Sequence, residues 1–139
     1  MGLLGKIVQN TKFVAKAVRA ITRDRVSPPA QAPLPVGEVR DYTAAELTAY
    51  DGSDPTRPVL LSIEGRVFDV TPGRSFYGKG GPYEMFAGKE CAVALAKMSF
   101  DAADVHGDTS TLEAEEREKL NDWRETFEGK YRELGRLLP

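Results

Sequence analysis

Residues 27–37, Ser27-Pro28-Pro29-Ala30-Gln31-Ala32-Pro33-Leu34-Pro35-Val36-Gly37, hold four prolines. Each proline lacks an N–H donor and has a fixed φ, so neither a continuous helix nor a sheet ladder can run through this stretch. The segment therefore predicts three parts: an arm over residues 1–26, a spacer over residues 27–40, and one domain over residues 41–139.

Charge follows the same division. Residues 1–40 carry seven Lys or Arg and two acids, a net of +5, whereas the remainder carries 12 basic and 19 acidic side chains, a net of −7. A basic arm on an acidic body implies an anionic or acidic contact for the arm. The body itself is too acidic for nucleic acid to be an expected partner.

At 100° per residue, Leu3, Leu4, Ile7, Val8, Val14, Val18 and Ile21 share one face, and Lys12, Lys16, Arg19 and Arg23 line its side. This predicts an amphipathic helix over residues 3–25. A helix on an anionic membrane surface, a mitochondrial presequence, a docking helix for a protein partner and a helix packed on its own domain all fit that periodicity. Residues 1–35 are expected to attach the chain to protein partners in a larger assembly. No apolar run approaches the ~18 residues of a spanning helix, so the chain is not expected to cross a bilayer by itself. Gly2 follows Met1, but Lys6 stands where a myristoylation signal wants Ser or Thr.

The body reads as a mixed pattern. Thr43-Ala44-Ala45-Glu46 is a capping box opening a short helix to about Tyr50. Val59–Ile63 and Arg66–Val70 are strand-like runs around Glu64-Gly65, a tight-hairpin signal. Thr71-Pro72-Gly73 breaks the chain, and Gly78, Gly80 and Gly81 follow closely. Tyr83–Ala87 and Glu90–Met98 suggest short helices. Ser110-Thr111-Leu112-Glu113 suggests a second capping box opening a helix to about Glu128, with Leu112, Leu120, Trp123 and Phe127 facing inward. Helix, hairpin, short helices and long helix make an α+β chain, with no βαβ alternation.

The only cysteine, Cys91, excludes an intramolecular disulfide, and the only histidine, His106, excludes a haem held by two histidines of one chain. Cys91, in an alanine-rich run, reads as a small buried hydrophobe, and His106 as a loop residue. No Ser/His/Asp, Cys/His or paired-carboxylate arrangement can be assembled, so enzymatic activity is not expected.

Several segments occur together in order: Asp41-Tyr42-Thr43-Ala44-Ala45-Glu46-Leu47, Gly65-Arg66-Val67-Phe68-Asp69-Val70-Thr71 and Gly73-Arg74-Ser75-Phe76-Tyr77-Gly78. Gly81-Pro82-Tyr83, Phe86-Ala87-Gly88-Lys89-Glu90, Asp122-Trp123 to Phe127 and Lys130-Tyr131 follow. With this set, residues 41–138 closely resemble the membrane-associated progesterone receptor family. The resemblance implies a cytochrome b5-like haem/steroid-binding fold, preceded here by the amphipathic helix and proline-rich linker. Cytochrome b5 uses a His-Pro-Gly-Gly segment and a second histidine, whereas this chain reads Gly80-Gly81-Pro82-Tyr83 in the equivalent region.

The resemblance therefore implies haem b with iron on the Tyr83 phenolate, a ligand type that favours Fe(III). It also implies Tyr77 hydrogen-bonding near that phenolate. Lys130 would neutralise a propionate or the phenolate, and Tyr131 would donate a hydrogen bond. Read as residues alone, Tyr77 and Tyr131 are equally core aromatics, and Lys130 a solvated cation. The implied function is a haem-binding accessory protein that binds or delivers haem or modulates a partner oxidoreductase. The alternative is a non-catalytic subunit of a large assembly that uses the domain as a docking module. The expected location is intracellular: membrane-peripheral, mitochondrial or within an assembly.

Overall fold

The computed structural model of the protein describes residues 34–139. The amphipathic helix expected over residues 3–25 and the first three prolines of the spacer lie outside the described residues. Four strands form one sheet: β1 (Tyr42–Thr43), β2 (Leu60–Ile63), β3 (Arg66–Asp69) and β4 (Arg132–Leu138). Their spatial order is β1-β4-β3-β2, with β1 parallel to β4 and the other pairs antiparallel. Helices α1 (Ala44–Leu47), α2 (Arg74–Tyr77), α3 (Ala92–Lys97) and α4 (Ala114–Lys130) pack around it, joined by single 3-10 turns.

The hairpin lies where expected. Leu60 pairs with Asp69 and Ile63 with Arg66, around Glu64 (φ 52°) and Gly65 (φ 75°). A two-residue hairpin turn with both central residues left-handed matches the strand twist. Gly65 adopts that region freely, whereas Glu64 needs support. Its N–H donates to the Glu90 carboxylate at 3.1 Å, and its own carboxylate accepts from Arg124 on α4 at 2.7 Å. Glu90 also accepts from the Gly65 N–H (2.7 Å), the Ser62 hydroxyl (2.8 Å) and the Ala92 N–H (2.9 Å). One carboxylate thus ties the turn to the start of α3.

Both faces of the hairpin are buried, which explains its near-continuous apolar run. Leu60 and Val67 join Tyr42, Leu47 and Leu134 on one side. Leu61, Ile63 and Phe68 join the larger cluster under α2, α3 and α4 on the other.

Residues 34–40 form no helix or strand, yet the spacer ends docked on the sheet. The buried Gly37 N–H donates to Asp69 Oδ2 at 2.8 Å. Asp69 Oδ1 accepts from the Thr71 N–H (3.0 Å) and hydroxyl (2.5 Å), and Thr71 Oγ1 accepts from the Val59 N–H at 3.0 Å. Removing this acceptor strands buried donors, each costing about 1–3 kcal/mol. Asp69→Ala should therefore lower unfolding stability by at least about 1–3 kcal/mol, read as a shift of the urea midpoint at constant m.

One sequence expectation holds here and two change. The first capping box forms as expected: the Glu46 N–H donates to Thr43 Oγ1, and the Thr43 N–H to Glu46 Oε1. The second, expected at Ser110–Glu113, lies instead at Glu113–Glu116, and α4 starts at Ala114 and runs on to Lys130. Ser110 belongs to a separate 3-10 turn (Thr109–Thr111), because the Asp108 carboxylate captures both its N–H (3.1 Å) and its hydroxyl (2.6 Å). The helix expected over Tyr83–Ala87 is a single 3-10 turn, Glu84–Phe86.

Strand β4 was not legible in the sequence at all. Among its residues only Leu134 is buried, so the stretch shows no clear alternation. Its pairing with β3 and the Asp41 carboxylate, which accepts the Arg136 N–H at 2.9 Å, make it a strand.

Candidate functional site

The chain break at Thr71-Pro72-Gly73 forms a 3-10 turn that feeds α2, whose Phe76 and Tyr77 are both buried. After α2 the glycine-rich segment doubles back. The Tyr83 N–H donates to the Phe76 carbonyl at 2.8 Å, and Gly81 lies so close to that carbonyl that a Cβ would overlap it. The close approach brings Tyr83 beside α2.

Tyr83 is only 2% exposed. Its ring is nearly parallel to those of Phe76 (6.1 Å between centroids, 9°), Phe86 (5.7 Å, 13°) and Phe100 (5.6 Å, 15°). Such offset stacks of large rings are favourable beyond their buried area.

The C-terminal end of α4 closes the cluster. Tyr77 lies 5.8 Å from Tyr83, 6.0 Å from Phe127 and 6.3 Å from Tyr131, centroid to centroid. The Tyr131 phenol rests on Gly73, where any side chain would collide with it. Lys130 is exposed at the rim, its Nζ 5.0 Å from the Phe76 ring centre and 5.5 Å from that of Tyr131. Thus Tyr77, Tyr83, Lys130 and Tyr131, distant in sequence, occupy one neighbourhood.

Electrostatics are dominated by burial. Loss of water pushes the Tyr83 phenol well above its ordinary pKa. It pushes that of Tyr77 up as well, with the neighbouring Tyr131, Cys91 and Tyr83 adding to the effect. Both phenols are therefore neutral in this conformation, and a phenolate here needs a compensating positive charge.

The remaining singled-out residues lie elsewhere. The Cys91 thiol is buried, 3.3 Å from the Ser62 carbonyl, with its pKa pushed up by burial. His106 is exposed, and its Nδ1 accepts the Asp108 N–H at 3.1 Å. Among the described residues, no cluster of three or more His, Cys, Asp or Glu side chains is placed to hold a bare metal ion, and no helix is long and apolar enough to cross a membrane. The flat stack contributed by Phe76, Phe86 and Phe100 was not singled out from the sequence. Phe100 in particular lies in a polar stretch with no periodic signal.

Residues 43–131 match the family model described as "Cytochrome b5-like Heme/Steroid binding domain". The chain is 47% identical over 113 residues to "Membrane steroid-binding protein 1" of Oryza sativa, covering 81% of this chain and 49% of that protein. It is 42% identical over 108 residues to the human "Membrane-associated progesterone receptor component 2", covering 76% and 48%. It is also 47% identical over 108 residues to a Schizosaccharomyces pombe protein named as a cytochrome P450 regulator, covering 73% and 64%. The chain spans about half the length of the curated relatives it first matches.

A solved structure from Arabidopsis thaliana, described as having a cytochrome b5 like fold, superposes with a TM-score of 0.67 at 43% identity. The match covers 78% of this chain and all of that one. On the sheet order, the helices packed around it and these likenesses, the chain belongs to the membrane-associated progesterone receptor family of cytochrome b5-like haem/steroid-binding domains.

Proposed function

We propose that this domain is a haem-binding accessory module in which the Tyr83 phenolate holds ferric iron. The observation that carries the reading is the site itself: a buried phenol, flanked by near-parallel aromatic rings, with two further tyrosines and a lysine gathered around it. The residues present fit the group. A phenolate is a hard anionic donor suited to Fe(III). Flat rings suit a planar macrocycle, and Lys130 at the rim suits a carboxylate-bearing edge. Bound haem would supply a redox-active iron biased toward the ferric state.

The protein's own residues then have definite tasks. Tyr83 gives up its phenolic proton and orients the ligand. Tyr77 and Tyr131 limit water around the phenolate, and Lys130 supplies positive charge. None of these groups is arranged to cleave a substrate bond, so the module acts by binding haem and modulating a partner. The relative named as a cytochrome P450 regulator supports an oxidoreductase as that partner. Residues 1–35 are the proposed attachment to it or to an assembly, through a basic, amphipathic sequence.

The test is a haemin titration of the purified chain, expected to give a high-spin, tyrosinate-type ferric spectrum. Its pH dependence has a definite sign. The free phenol is neutral because burial raises its pKa, whereas the iron-bound form is ionised. One proton leaves for each haem bound. Apparent affinity should therefore rise about tenfold per pH unit between pH 6 and 8, and weaken toward acid. An affinity independent of pH, or a six-coordinate low-spin spectrum, would refute tyrosinate ligation.

A further inference from the structure

Lys130 is the last residue of α4, and its ammonium sits against rings instead of acids. Its Nζ lies 5.0 Å from the centre of the Phe76 ring and 5.5 Å from that of Tyr131. The glutamates of α4 serve other cations: Glu128, just before Lys130 in sequence, pairs with Arg66 at 2.7 Å, and Glu116 pairs with Lys97 at 3.3 Å. An ammonium within about 6 Å of a ring centre is attracted by the negative face of the ring. Unlike a carboxylate, the ring does not cancel the cation's charge, which stays available to an anionic group.

Of the two rings, Phe76 is the one that also meets Tyr83. It lies within α2 and is buried in the main cluster. Its carbonyl accepts the Tyr83 N–H at 2.8 Å, and its ring stacks on the Tyr83 ring at 6.1 Å and 9°. One residue therefore touches the tyrosine through backbone and ring, and the lysine through its face. The two are remote in sequence, and Phe76 is the side chain that both of them contact.

We propose that Phe76 is a positioning residue of the site: its ring face holds the Lys130 ammonium against the tyrosine cluster, where that charge serves a bound anionic group. This rests on the reading of Lys130 as the positive charge of the site, and the experiment separates the two. A lysine also suits the C-terminal end of a helix wherever Phe76 lies, because the last carbonyls favour a cation. The test therefore alters the face of the ring and leaves the helix alone.

In the full-length chain Phe76 is replaced by pentafluorophenylalanine, which keeps the outline of the ring and reverses the charge on its face. The first readout needs no ligand. The Lys130 Hε protons should be shifted upfield in the NMR spectrum of the wild type by the ring beneath them. Fluorination should shrink that shift as the ammonium leaves the face, and Phe76→Leu should shrink it as well. The second readout is haemin affinity. Lys130→Met should weaken binding about two- to fivefold more in the wild type than in the fluorinated protein, the fold-change expected of one exposed cation–ring contact. Comparing within each background cancels any effect of fluorine on the Tyr83 stack. Phe76→Leu, used as a third background, should reduce the cost of Lys130→Met in the same way and guards against poor packing of the fluorinated ring. Lys130 signals that ignore fluorination would overturn the proposal, as would a measurable cost of Lys130→Met that is equal in all backgrounds. If Lys130→Met costs nothing in any background while its signals still follow fluorination, Phe76 holds the lysine and the reading of Lys130 as the ligand's charge fails.

Discussion

Tyr83→Phe should weaken ferric haem binding by more than about a hundredfold, beyond the 10–100-fold typical of losing a partner that only supports a metal ligand. The substitution removes one oxygen and leaves the ring, so the stacks on Phe76, Phe86 and Phe100 persist. Binding should therefore fall far more than unfolding stability. That separation makes the variant more informative than Tyr83→Ala, which would also open a cavity. His106→Ala is the control. The imidazole is exposed, engaged with the Asp108 N–H, so its removal should leave affinity and spectrum unaltered. Titration at the Soret band reads both variants. A Tyr83→Phe protein that retains wild-type affinity would mean that another donor holds the iron.

Phe127→Ala should be the most damaging single truncation in the core, costing about 3–5 kcal/mol. Phe127 is 1% exposed and meets Phe68 of β3 (5.8 Å), Trp123 (6.4 Å), Tyr131 (5.2 Å) and Tyr77 (6.0 Å). It therefore joins α4 to the sheet and to the tyrosine cluster at one point. A domain of this size has only about 5–15 kcal/mol in hand, so the loss takes a third or more of it in most of that range. Urea unfolding followed by Trp123 fluorescence should show a much lower midpoint with little change in m. The site should suffer too, because Tyr77 and Tyr131 lose their common neighbour. A destabilisation below about 1 kcal/mol would mean that the site collapses without leaving a cavity, contrary to the packing described.

These two residues also show what a linear reading can reach. Phe127 belongs to the apolar stripe of a long helix, so its inward orientation follows from spacing alone. Tyr83 carried no periodic signal, and its candidacy came from resemblance through Gly81-Pro82-Tyr83. Its neighbour Phe100 carried neither. The first capping box was legible because donor and acceptor lie three residues apart. The second was misplaced by one turn because Asp108, upstream of the motif, competes for the Ser110 N–H more directly than the helix does.

The sequence by itself determined the elements whose interactions close within a few residues. These are the Thr43–Glu46 cap, the Glu64-Gly65 hairpin and the inward-facing stripe of α4. Such features depend on local donors, turn residues and periodicity, all of which can be read along the chain. Only the tertiary structure decided that Arg132–Leu138 is a strand. Its register depends on Asp41 and β3, remote in sequence, and not on its own weak pattern. Only the tertiary structure docked Gly37 on Asp69, and only it laid Phe100 across Tyr83. Burial, stacking and the raised phenol pKa values belong to groups brought together by folding, because desolvation is a property of surroundings and not of a residue's position in a chain.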